Sequence, residues 1–207
     1  MSSQLPQVLK ALDETRDQAL ERLFELIRIP SVSTDPAYKA HCRKAAEWCT
    51  AQLQEIGFDA RVVSTTGHPM VVGQHRNGAR QGTPHVLFYG HYDVQPPDPL
   101  EKWQSPPFQP QVRNHRLYAR GVSDDKGPML IPIKTAEAFL KTVGKLPINL
   151  KLVIEGEEER GSAHLGDFVA GLGQPLLPRR QLVGQLVERL LSLLHLLVGP
   201  LLGPLLE

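Results

Sequence analysis

The chain has 207 residues, 41% hydrophobic and 22% charged, with a formal net charge of +1. That is enough for one domain with a real core, and the near-neutral balance supplies no field that would favour nucleic acid or an anionic membrane. The two cysteines, Cys42 and Cys49, are spaced too far apart along one helical pattern to bridge within it, and are expected as reduced thiols in a cytoplasmic protein.

The N-terminus is charged and amphipathic and lacks the apolar core of a secretory signal. Leu9, Leu12, Leu20, Leu23, Phe24 and Ile27 recur at helical spacing and predict one helix over 5–29, stopping before Pro30. Asp35 before Pro36 is a capping signal, and a second helix is expected to run to about Ile56 and stop at Gly57. The segment 58–78 predicts two strands with a turn around Gly67. "PHVLFYGH" is a short, continuously apolar run of the kind buried on both faces. A proline-rich loop follows, of a length that is usually functional, with Trp103 and Phe108 expected to pin it to the core. "HRLYARG" predicts a further strand. After "SDDKGP" comes a helix with Pro128 in its first position and a stripe of Leu130, Ile133, Ala136 and Leu140. "INLKLVI" is a strand that runs into the acidic turn "EGEEERGS", and a last helix begins near Ser162.

Strands alternating with helices indicate an α/β layered domain. In such sheets ligands collect beyond the carboxyl ends of the strands. His91, Asp93, Asp124, Glu158 and Glu159 all lie at strand ends or just past them. Each group has a bland reading. His91 and Asp93 could cap a strand, Asp124 and Asp125 could cap a helix, and an acidic run is usually a solvated face. Each also has a chemical one. A carboxylate beside an imidazole orients a metal-bound histidine, one carboxylate can bridge two cations, and two adjacent glutamates can divide ligation from proton transfer.

Together, "GHYDVQP", "WQSPPFQP", "LYARGVSDDKGP" and "EGEEERGS" resemble, in order and spacing, the signature blocks of the zinc-dependent aminoacylases and dipeptidases. That family includes acetylornithine deacetylase, succinyl-diaminopimelate desuccinylase and carnosinase-like dipeptidases, and "DPLEKWQSPPFQP" points to the last branch. The resemblance covers roughly 9–171. It implies an α/β fold with a layered, mixed, largely parallel sheet flanked by helices. It implies two zinc ions, with manganese or cobalt also suited to such ligands. His91 would hold one metal, Glu159 the other, and Asp124 would bridge them. Asp93 would orient His91, Glu158 would be the general base, and a cis peptide would precede Asp125. The implied reaction is hydrolysis of the peptide or acyl-amide bond of dipeptides or small N-acyl amino acids.

The resemblance also implies parts that are not recognisable in this sequence. These are a further acidic ligand for the His91 metal, a distant histidine for the Glu159 metal, and the lid or dimerisation domain through which the family often forms homodimers. Each metal is left one protein ligand short of the usual three. His195 stands among leucines without a supporting carboxylate and reads as packing. Glu188 and Glu207 have no motif around them, and His41, His68, His75, His85, His115 and His164 lack ligand-like spacing. From 172 onward the chain is leucine-rich and broken by Gly199, Pro200, Gly203 and Pro204. A membrane anchor and a leucine-rich helix packed on the core are two readings of it. The favoured expectation is a tail that did not evolve with the preceding domain, from a shifted reading frame or a junction. The expected organisation is thus a partial catalytic domain over 1–171 with a tail over 172–207. The lineage is that of a peptidase, while this chain taken alone is expected to be catalytically inactive. The expected partner is a small peptide or acyl-amino-acid substrate, with no nucleic acid and no membrane.

Overall fold

The N-terminal amphipathic pattern forms two helices rather than one. In the computed structural model, which describes residues 4–76 and 82–171, α1 spans Leu5–Glu14 and α2 spans Arg16–Ile27. The break at Thr15 has a local cause. Its hydroxyl donates to the Ala11 carbonyl at 2.7 Å, and its backbone leaves helical geometry with φ −106° and ψ 11°. A threonine side chain that bonds back four residues competes with helix propagation. Beyond α2, Asp35 accepts from the Ala37 amide at 2.9 Å and caps a 3₁₀ turn, Pro36–Tyr38, that leads into α3, Lys39–Glu55. Gly57, at φ +87°, then reverses the chain as a helix-ending glycine should.

The main sheet has the strand order β1 (Asp59–Val63), β2 (Met70–His75), β6 (Asn149–Glu155), β3 (His85–His91). It is mixed, as expected. Its parallel character is confined to β3 with β6, because β1 with β2 and β2 with β6 are antiparallel. The strand buried along nearly its whole length is β6. In β3 only Gly90 and His91 are buried, and Tyr89 is 44% exposed. An apolar run is ambiguous between a central and an edge strand, and β3 lies at the sheet's edge among the described residues.

"HRLYARG" contributes β5, Arg116–Tyr118, which pairs with β4, Gln111–Arg113, in a hairpin separate from the main sheet. Asn114 and His115 both take positive φ at its turn, as two-residue hairpins require. The helix after "SDDKGP" is α4, Lys126–Val143, in which Pro128 is the third residue rather than the first. Trp103 holds the proline-rich loop by donating to the Pro97 carbonyl at 2.7 Å, with Arg120 over its ring. The last described helix, α5, is Leu165–Gly171.

One core joins α3, α4 and the sheet. Cys42, Cys49 and Leu53 meet Met129, Ile133, Ala136, Leu152 and Ile154 there. Burial pushes both thiols up to about 12, so they are packing groups and not nucleophiles. The ammonium of Lys126, wholly buried, donates to the carbonyls of Leu26 at 3.0 Å and Ile29 at 2.6 Å, satisfying the C-terminal end of α2. No helix among the described residues is long and apolar enough to cross a membrane. The expectations for the tail, and for His195, Glu188 and Glu207, fall outside the described residues.

Candidate metal centre

The parallel register of β3 and β6 sets His91 beside Glu155, so both strands deliver their carboxyl ends to one place. His91 is buried. Its Nδ1 faces Asp93, 3.2 Å from the carbonyl and 3.3 Å from Oδ1. Its Nε2 points outward, 3.0 Å from Asp124 Oδ1 and 3.8 Å from Glu158 Oε2. The loop from the β4–β5 hairpin brings Asp124 in, and the Asp124–Asp125 peptide is cis. Asp125 does not cap α4 with its side chain. Its Oδ2 instead accepts from the His91 amide at 3.2 Å. After β6 the 3₁₀ turn Glu158–Arg160 carries the two glutamates. Glu159 Oε2 accepts from Gln95 Nε2 at 2.8 Å, and the Glu159 amide donates to Asp93 Oδ2 at 3.1 Å.

Ligand atoms of His91, Asp124 and Glu159 all lie within 4.8 Å of one another, a spacing suited to one cation. The donor set fits a divalent metal chemically, with one imidazole nitrogen and two carboxylates. The electrostatics agree. Burial and the Asp124 charge raise Glu159, while the Gln95 bond opposes them. Burial, with Asp124 and Glu158, raises Asp125 against the His91 amide bond. Burial alone would lower His91, but Asp93, Asp125 and Glu158 override it and raise the imidazole to about 9. Crowded carboxylates that resist ionisation, around an imidazole that holds a proton, form a cluster short of positive charge.

The five residues singled out from the sequence thus converge. His91, Asp124 and Glu159 share one focus, Asp93 backs His91, and Glu158 stands within 3.8 Å of the imidazole with its side chain 44% exposed. None of the other described histidines belongs to this group. His68 and His164 instead meet Glu157, a wholly buried carboxylate. Sequence reasoning missed Ser33, whose hydroxyl donates to Asp93 Oδ2 at 2.6 Å, and also Gln95 and Glu157. Ser33 lies in a short polar stretch before Asp35 with no motif around it, and Glu157 is one of four glutamates in the run 155–159, of which the resemblance gives roles only to Glu158 and Glu159.

Residues 87–191 match the model of peptidase family M20/M25/M40. The chain is 33% identical over 181 residues to the Cys-Gly metallodipeptidase DUG1 of Candida albicans, covering 80% of this chain and 37% of that protein. It is 32% identical over 180 residues to the Beta-Ala-His dipeptidase of Homo sapiens, covering 80% of this chain and 35% of the relative. Its fold superposes with a TM-score of 0.76 on the di-peptidase Dug1p from Saccharomyces cerevisiae, at 31% identity over 84% of this chain and 39% of that one. It therefore spans little more than a third of the length of the relatives it matches. On the family match, the identity and the shared fold, this chain belongs to peptidase family M20/M25/M40.

Proposed function

We propose that this chain carries the metal-binding first part of a dipeptidase active site, which hydrolyses the peptide bond of small dipeptides. The observation that carries the reading is the convergence of His91, Asp124 and Glu159 within 4.8 Å. In this reading His91, Asp124 and Glu159 would hold divalent metal, zinc by family resemblance. Bound there, the metal supplies Lewis acidity, which polarises a carbonyl and acidifies water. The residues do the rest. Asp93 fixes the His91 tautomer by accepting a hydrogen bond from Nδ1–H, leaving Nε2 free to ligate. The Glu158 carboxylate has no hydrogen bond among the described residues and is half open to solvent, so it is free to move a proton. It takes that proton from the attacking water and returns it to the leaving amine nitrogen.

A second reading is supported by the ligand count. If two metals bind as the family resemblance implies, His91 with Asp124 and Glu159 with Asp124 would give each two ligands, fewer than the three that catalytic zinc sites use. On that reading the chain alone binds metal and turns over nothing. One experiment separates the two: the zinc-loaded chain is assayed against Cys-Gly, β-Ala-His and a panel of other dipeptides. Turnover abolished by Glu158→Ala supports the peptidase reading for this chain. Zinc binding without turnover supports the second. A chain that binds no zinc at all sinks both.

A further inference from the structure

We infer that Glu157 is a positioning residue that sets the metal-facing glutamate turn, held from behind by His164 and by the Gly67–His68 turn. The inference rests on the proposed metal reading and adds residues to it. Glu157 is wholly buried, yet its carboxylate does not belong to the ligand group of His91, Asp124 and Glu159. Oε2 lies 2.6 Å from His164 Nδ1, within hydrogen-bond distance. Oε1 accepts from the His68 amide at 3.2 Å. Arg160 Nη1 stands 4.0 Å from Oε1. The backbone end is fixed as well. The Glu157 carbonyl accepts from the Arg160 amide at 3.1 Å and the Ser162 amide at 2.8 Å, closing the loop that presents Glu158 and Glu159.

The fit on the far side is tight. A Cβ added to Gly67 would overlap Glu157 Oε1 and come within 2.6 Å of His164 Nδ1. His68 Nε2 also lies 3.0 Å from the Ser33 carbonyl, and the Ser33 hydroxyl donates to Asp93. The network thus runs from Glu157 through the β1–β2 turn to the residue that backs His91. A buried carboxylate is an expensive way to fill space, and a hydrophobic residue would serve packing better. What a pinned carboxylate supplies is direction. With both ends of Glu157 fixed, the next two side chains must leave the turn toward His91. The carboxylates that hold a metal are themselves held, and such outer partners are worth about 10–100-fold in metal affinity.

The test uses the full chain and cobalt(II), read by competition with a chromophoric chelator and by the visible absorption of bound cobalt. Thermal melting of the metal-free protein runs alongside. His164→Ala and Gly67→Ala should each weaken cobalt binding about 10-fold or more and shift the visible band. His164→Asn, whose amide nitrogen takes the place of Nδ1, should restore most of the affinity, and metal-free melting of His164→Ala should change little. Equal cobalt affinity in the unaltered chain and both variants overturns the inference while leaving the metal reading standing. Loss of affinity that only follows loss of the metal-free fold, with no rescue by His164→Asn, overturns it too. If the unaltered chain binds no cobalt, the metal reading falls and takes this inference with it.

Discussion

Asp93 touches both halves of the candidate centre. One oxygen lies 3.3 Å from the His91 imidazole, and the other accepts the Ser33 hydroxyl and the Glu159 amide. Asp93→Asn keeps the volume but removes the charge that favours the Nδ1–H tautomer of His91, and it can turn a donor toward the Glu159 amide. Metal affinity should fall about 10–100-fold, with cooperative urea unfolding retained, as measured by chelator competition on the purified variant. At this scale the sequence was legible where a residue type has few bland uses in its setting. His91 and Asp93 ended an apolar strand, and paired carboxylates followed at the next strand ends. Ser33, Gln95 and Glu157 were not legible. Serine and glutamine are common in loops, and the contacts they make cross about sixty residues of chain.

Glu137 plays the corresponding part among the helices. It sits on α4 and is nearly buried. It accepts from Lys134, from Lys141 at 2.6 Å, and from Arg22 of α2 at 3.3 Å, while Arg22 also reaches Glu55 of α3 at 3.1 Å. Burial alone would raise this carboxyl, but the Lys134 and Lys141 bonds, with the Lys134 and Arg22 charges, override it and hold it below its ordinary 4.5. A depressed carboxylate contributes stability above its unfolded value and loses it as pH falls through the folded one. Glu137→Gln should therefore cost about 1–3 kcal/mol near pH 7. The gap from the unaltered chain should close as pH drops below 4.5, in urea unfolding run at a series of pH values. The helices themselves were well marked, since the apolar stripe of α4 is the face that enters the core. What the pattern could not show was a break caused by one hydroxyl at Thr15. Nor could it show that β3 is an edge strand, because a run of apolar residues does not say how many neighbours a strand has.

For the whole molecule, metal and fold are linked quantities. An ion that binds the native site and not the unfolded chain, present at about 100 times its Kd, adds about 2.7 kcal/mol. In a chain of this size that should raise the melting temperature by about 5–10 °C. Differential scanning with zinc, then with a chelator in excess, should show the rise and its reversal, and an unchanged melt would contradict a preformed site. The α/β class was readable because helical and strand periods alternate along the chain. The strand order was not, because β6 comes last of the described strands yet sits between β2 and β3.

Lys126 gives the first twenty-nine residues a significance that their ordinary amphipathic look conceals. It stands two positions after Asp124, and its ammonium closes the end of α2. Burial pushes that amine down to about 7, with the Asp93 charge pulling the other way, so it rests on the carbonyls of Leu26 and Ile29 for its place in the core. Trimming the chain to begin at Pro30 looks harmless by the usual criteria for choosing a boundary. It would nonetheless remove both carbonyl acceptors of the Lys126 amine beside the Asp124 loop. The N-terminal helix pair is therefore a fixed part of the folded unit, and any shortened, grafted or permuted version of this domain has to carry it.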